Sequence, residues 1–226
     1  MPLAIFDLDN TLLAGDSDYL WGRHLVSIGV VDGERYEAAN QRFYDDYRAG
    51  VLDIDAFLSF SLRPLAENHP ADLLRWREEF VSRHIEPLIL PAARALVDRH
   101  RAAGDTLMII TATNAFVTSP IAERFGIEHL IATEPERVDG RYTGAVAGIP
   151  AFREGKVARL EQWLAKHGAD LAGSHFYSDS MNDLPLLEQV AHPVAVDPDP
   201  RLAAVARSRG WPLLSLRDGD APEAAG

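Results

Sequence analysis

The chain has 226 residues, 47% of them hydrophobic and 25% charged, with a net charge of −12 and no cysteine. That composition describes a folded protein with room for one core and a modest insertion. It argues against nucleic acid or an anionic membrane as partner, and it excludes disulfides and thiolate metal sites. No apolar run reaches the roughly 18 residues of a membrane span, and no basic leader opens the chain. We therefore expect a cytoplasmic protein, monomeric or homodimeric.

Leu3-Ala4-Ile5-Phe6 opens the chain as a buried strand, expected over residues 3–8. From Ser17 to about Leu90 the apolar residues fall at helical spacing, among them Tyr19, Leu20, Leu25, Val26, Phe43, Phe57 and Phe80. Gly29, Gly33, Gly50 and Asn68-His69-Pro70 divide this stretch into four expected helices. After Pro91 the pattern alternates. Helices are predicted over 91–103, 115–125, 153–167, 180–190 and 199–209. Strands are predicted over 106–111, 129–133, 175–178, 193–196 and 212–216. Asp139-Gly140 marks a hairpin turn. The fold expected is α/β: a three-layer, Rossmann-like parallel sheet with an inserted all-helical cap. The core would comprise 1–15 and 88–218, the cap 16–87, and 219–226 a flexible tail.

Four places carry chemistry. Asp7 and Asp9 follow the first strand, at the end where open α/β sheets bind ligands. Close carboxylates repel, so they need a cation such as Mg²⁺ or a shared proton. Thr111 ends the strand 106–111, where its hydroxyl can serve an oxyanion. Lys156 starts a helix, a position that the helix dipole disfavours for a cation. Asp179 and Asp183 repeat the opening pattern after the strand 175–178. Each also has an ordinary reading: an Asx turn, a threonine N-cap, a solvated lysine, an aspartate cap.

Taken in order, these positions resemble the haloacid dehalogenase superfamily of phosphohydrolases, and in particular its phosphoserine phosphatase-like branch. The resemblance runs from Asp7-Leu8-Asp9-Asn10-Thr11 through Thr111 and Lys156 to Asp179 and Asp183. Departures are Asn10, Ala112 and Ser178, where glycine is frequent in the family. It implies Asp7 as nucleophile and Asp9 as general acid/base. It also implies Mg²⁺ on Asp7, Asp179 and the Asp9 backbone carbonyl. Thr111, the Ala112 amide and Lys156 would hold the phosphoryl oxygens, Asp183 would order Lys156 and metal-bound water, and Asn182 would touch substrate.

Asp16 matches a position that faces a substrate amine in that branch. Ser59 falls near the place of an arginine that reads the substrate carboxylate there, with Arg63 one turn later. Trp21, Tyr44 and Phe57 could stack on imidazole or simply pack the cap. These residues favour a small amino-alcohol phosphate, with histidinol phosphate ahead of phosphoserine. A phosphotransferase would use the same residues. A dehalogenase would not need Asp9, and a metabolite-binding protein without activity would have lost part of the set.

Overall fold

The computed structural model describes residues 1–225. The four residues of β1 (Leu3–Phe6) are all buried, which their uninterrupted apolar character dictates for a strand covered on both faces. An inserted helical block follows: α1 (Ser17–Ser27), α2 (Gly33–Ala49), α3 (Ile54–Ser61), α4 (Arg63–Glu67) and α5 (Pro70–Phe80). Then come α6 (Pro91–Ala103), β2 (Thr106–Asn114), α7 (Ala115–Phe125) and β3 (His129–Thr133). The hairpin β4 (Pro135–Val138) and β5 (Arg141–Val146) turns on Asp139 and Gly140, with φ of 49° and 79°. Two consecutive left-handed residues match the twist of a tight hairpin, as the Asp-Gly pair predicts. The chain closes with α8 (Glu154–His167), β6 (His175–Ser178), α9 (Leu184–Leu187), β7 (His192–Val196), α10 (Pro200–Arg209), β8 (Leu213–Ser215) and β9 (Glu223–Ala224).

The main sheet has seven strands in the order β3-β2-β1-β6-β7-β8-β9. All neighbours run parallel except β8 and β9. Side chains alternate across it. Leu3 and Ile5 pack with Met108, Ile110, Leu160 and Phe176 on one face. Ala4 and Phe6 pack with Leu96, Ile109 and Ile121 on the other. The inserted helices join this second cluster through Trp21, Leu25, Leu62, Leu73 and Phe80. The expected α/β sheet with helices on both faces is what the chain forms.

Four local expectations need correction. The helical block contains a fifth element, the short α4, with Pro64 in its first turn. β2 runs on to Asn114, three residues beyond the predicted end, with a register shift between Ile110 and Asn114. The helix expected over 180–190 is a turn of 3₁₀ helix at Met181–Asp183 followed by one turn of α9. Ser180 explains the start: its hydroxyl caps the Asn182 N–H at 3.2 Å and closes a tight turn. Finally, Glu223 and Ala224 pair antiparallel with Ser215 and Leu214, where a frayed tail was expected. Of that tail, Gly226 lies outside the described residues.

Candidate active site

The chain crosses from β1 to β2 and β3 on one side, then returns to β6 on the other side of β1. Such a switch point leaves a crevice at the C-terminal strand ends. Asp7 and Asp179 leave β1 and β6 there, and Thr111 stands near the end of β2 beside Asp9. The Asp7 N–H makes the last ladder bond, to Tyr177 O at 2.9 Å. The chain then forms one wide turn closed by Leu13 N–H on Leu8 O at 2.9 Å. Within it Asp9 is extended and Asn10 is left-handed, with φ of 57°. Asparagine tolerates that region better than most residues, which accounts for Asn10 where glycine is frequent.

This turn brings Thr11 back over the strand end. Its hydroxyl lies 3.2 Å from Asp7 Oδ2 and 3.1 Å from Asp179 Oδ1, and it accepts the Asp179 N–H at 3.0 Å. The other Asp7 oxygen accepts from Lys156 Nζ at 2.8 Å. Lys156 also reaches Asp183, at 2.7 Å to Oδ1 and 2.8 Å to Oδ2, and is only 2% exposed. Burial pulls its pKa down, but the charges of Asp183 and Asp7 outweigh burial and hold it above the ordinary lysine value. A buried cation survives only with such partners. Burial pushes Asp7 up to about 7 against the pull of Lys156. Ser178, the third departure from the family pattern, gives its hydroxyl to Asp183 at 2.7 Å.

Asp9 points away from this ion pair. It accepts the Ser17 N–H at 2.6 Å and the Thr113 hydroxyl at 2.7 Å, with Thr111 Oγ1 at 3.4 Å. Burial raises its pKa despite those bonds, which favour the charged form. Sequence reasoning missed Thr113. The signal was available, because Thr113 stands two residues after Thr111 on an extended strand and so shares its face.

Beyond Asp9 a cleft opens between the inserted helices and the sheet, lined by Asp7, Asp9, Asp16, Asp18, Tyr19 and Tyr44, with Phe43, Tyr47 and Phe57 around them. Among the described residues no lysine, arginine or histidine lines it. Asp16 caps α1 through the Tyr19 N–H at 2.8 Å. Asp18, a second residue the sequence did not single out, accepts from Asn114 Nδ2 at 3.4 Å and is pushed up to about 7 by burial and the charge of Asp9.

Comparison with known proteins decides the family: a profile described as haloacid dehalogenase-like hydrolase matches residues 4–188. The chain belongs to the haloacid dehalogenase-like hydrolases. It is 48% identical over 219 residues to a Neisseria meningitidis protein named histidinol-phosphatase, covering 95% of this chain and 99% of that one. It is 33% identical to phosphoserine phosphatase SerB1 of Mycobacterium tuberculosis, over 95% of this chain and 70% of that one. A solved Bordetella pertussis protein described as of unknown function superposes with a TM-score of 0.89 at 47% identity, covering 94% and 97% of the two chains. A phosphoserine phosphatase structure superposes at 0.70 with 18% identity over 97% and 94%, which shows a shared fold. The family match and the 48% identical relative make the chain a phosphatase of the haloacid dehalogenase-like hydrolases.

In this hydrolase the remaining candidates sort by place. Ala112 lies in the cleft wall beside Thr111. Asn182 does not line the cleft. Its amide donates to Tyr47 O at 3.1 Å and its oxygen accepts from Arg153 Nε at 3.2 Å. Arg153 in turn reaches Gly50 O at 2.5 Å, and Arg201 reaches Ala49 O at 3.1 Å. Three core side chains thus donate to the carbonyls where α2 ends, of which Tyr47 O also accepts the Gly50 N–H at 3.0 Å. Ser59 and Arg63 are both exposed and outside the cleft; Arg63 pairs loosely with Glu67 at 3.7 Å. Trp21 is a packing residue, edge-on to Phe80 and Phe116, whereas Tyr44 and Phe57 do face the cleft.

The donors also suit a hard divalent cation. Asp7 and Asp179 share one hydroxyl, and no cationic side chain is recorded on Asp179, whose pKa burial and the charges of Asp7 and Asp183 raise well above normal. Oxygen donors that repel one another are what Mg²⁺ relieves. Among the described residues no three side chains enclose an ion by themselves. Mg²⁺ does not require that, since it keeps waters and shares substrate oxygens. No helix among the described residues is long and apolar enough to cross a membrane.

Proposed function

We propose that this phosphatase hydrolyses small phosphomonoesters through an aspartyl-phosphate on Asp7. The observation that carries the reading is the division of labour between the two aspartates of the first loop. Asp7 is fixed by Lys156 and Thr11, while Asp9 is turned toward Thr113 and the cleft. A carboxylate of Asp7 attacks phosphorus as the P–O bond to the alcohol breaks, and Asp9 gives its proton to the departing oxygen. Water then attacks phosphorus, Asp9 takes back a proton, and Asp7 is released with inorganic phosphate. Lys156, the Thr111 hydroxyl and the Ala112 amide hold the phosphoryl oxygens. Asp7, Asp179 and the Asp9 carbonyl would hold Mg²⁺, which would neutralise phosphoryl charge in a pocket where Lys156 alone faces four carboxylates. Hydrolysis of p-nitrophenyl phosphate should therefore stop with EDTA and return with Mg²⁺. Full activity in EDTA would contradict the assignment.

The helical block, over 16–87, acts as a cap on a core formed by 1–15 and 88–218. The cap reads the alcohol part of the substrate, and its cleft carries carboxylates and aromatic rings but no cation. An ammonium and an aromatic ring suit that lining, and a substrate carboxylate does not. Histidinol phosphate is favoured over phosphoserine on this ground, and the 48% identical relative of that name supports it. Asp16→Asn and Asp18→Asn should each lower kcat/KM for the amine-bearing phosphate by about 1–3 kcal/mol in transition-state terms, with p-nitrophenyl phosphate nearly unchanged.

The pH profile offers an independent check. Asp18 is neutral below about 7 and charged above it. Its attraction for an ammonium therefore grows as pH rises. The ratio of kcat/KM for histidinol phosphate to that for p-nitrophenyl phosphate should climb through about pH 7. Asp18→Asn should flatten that climb. A wild type preferring phosphoserine would refute the substrate order.

A further inference from the structure

Arg217 follows β8, in the last ten residues of the chain, yet its guanidinium reaches the catalytic loop. It donates to Asn10 O, and its second terminal nitrogen lies 3.4 Å from Thr11 O. Its Nε stands 3.6 Å from Asp197 Oδ2. Asp197 is itself fixed: it is left-handed with φ of 42°, and it accepts the Ser215 hydroxyl at 2.6 Å and the Leu216 N–H at 2.9 Å. β9 pairs with β8 just beyond, and Leu216 is fully buried. The guanidinium is thus held on one side by a fixed carboxylate and presented on the other to two peptide carbonyls of the loop that carries Asp9 and Thr11.

That loop needs an outside restraint. Asp9 and Asn10 have non-helical angles inside the wide turn, so no helical ladder runs through them; the Asn10 N–H bonds Gly15 O at 2.9 Å, while the Asn10 and Thr11 carbonyls take side-chain donors. From inside, the loop is tied by the Thr11 hydroxyl between Asp7 and Asp179. From outside, the side-chain contacts recorded on the Asn10 and Thr11 carbonyls both come from Arg217. A planar fork can hold two carbonyls at once, which a lysine ammonium on one stem does less well. We propose that Arg217 is a positioning residue of this site, clamping the Asn10 and Thr11 carbonyls so that Asp9 and the Thr11 hydroxyl keep their places. The proposal rests on the reading of Asp7 and Asp9 as the reacting pair, since only then does loop position control turnover.

The test compares wild type with Arg217→Met, which keeps the apolar stem, and Arg217→Lys. Two readouts are taken: kcat and KM for p-nitrophenyl phosphate with Mg²⁺, and amide hydrogen exchange of peptides spanning residues 8–13. We expect Arg217→Met to lose kcat on the scale of roughly hundredfold, that of a misplaced reacting group, with KM within about twofold. Exchange should quicken in 8–13 while the sheet and the cap keep wild-type protection. Arg217→Lys should recover part of kcat, and low millimolar guanidinium added to Arg217→Met should do likewise. Unchanged exchange in 8–13, or faster exchange spread over the whole chain, would overturn the clamp. If wild type itself fails to hydrolyse any phosphomonoester, the reaction assigned to Asp7 falls, and the exchange readout still decides whether Arg217 holds the loop.

Discussion

Asp7→Asn should abolish hydrolysis while leaving the fold intact, a loss of roughly 10⁴-fold or more in kcat, the scale seen when a catalytic nucleophile is removed. The amide is nearly isosteric with the carboxylate and can still accept from Lys156, which keeps its second partner, Asp183. What the variant lacks is an anionic oxygen that can attack phosphorus. Thermal unfolding within a few degrees of wild type, with no measurable release of phosphate from p-nitrophenyl phosphate, is the expected pair of results. Residual activity above a few per cent would move the nucleophile elsewhere.

Asp9→Asn should give a loss that depends on the leaving group. Burial raises the Asp9 pKa, which favours the protonated form that the departing oxygen needs. An alkoxide requires that proton, whereas p-nitrophenolate leaves without it. The alkyl ester should fall by roughly 10²–10⁴, the usual worth of general acid–base catalysis, and p-nitrophenyl phosphate by much less. The amide keeps one oxygen for the Ser17 N–H, and its NH2 meets the Thr113 hydroxyl, which can turn to accept, so the loop keeps its side-chain ties while the acidic proton is lost. Equal losses on both esters would count against the role.

The candidate site was legible because its residues break local rules. Asp7 and Asp9 end an apolar strand, and Lys156 sits at the wrong end of a helix dipole. The structure brings Asp7, Lys156, Asp179 and Asp183 within direct or bridged contact. The sheet was legible from alternation of strands and helices. What escaped were features set by distant partners. Thr113 carried a faint sequence signal, two residues after Thr111, whereas Asp18 looks ordinary and acquires meaning only when Asn114 faces it. Asn182, matched to a substrate position, also bonds Tyr47 O of α2, 135 residues away in sequence. Arg217 stands just before the expected tail, in a segment with no motif, and its partners lie at the other end of the chain. Helix periodicity also overran at 180–190, where a serine cap and Pro185 fit short turns better than a long helix.

The most direct test of Asp7 as the covalent site is chemical trapping. Wild type mixed with excess phosphomonoester and Mg²⁺, quenched in acid and reduced with borohydride, should contain homoserine in place of Asp7 in the peptide holding residues 5–13. Only an acyl phosphate on that side chain is reduced under those conditions. The homoserine should be absent when substrate is omitted and in Asp7→Asn. Rapid turnover with an unmodified Asp7, or homoserine at another aspartate, would contradict the account.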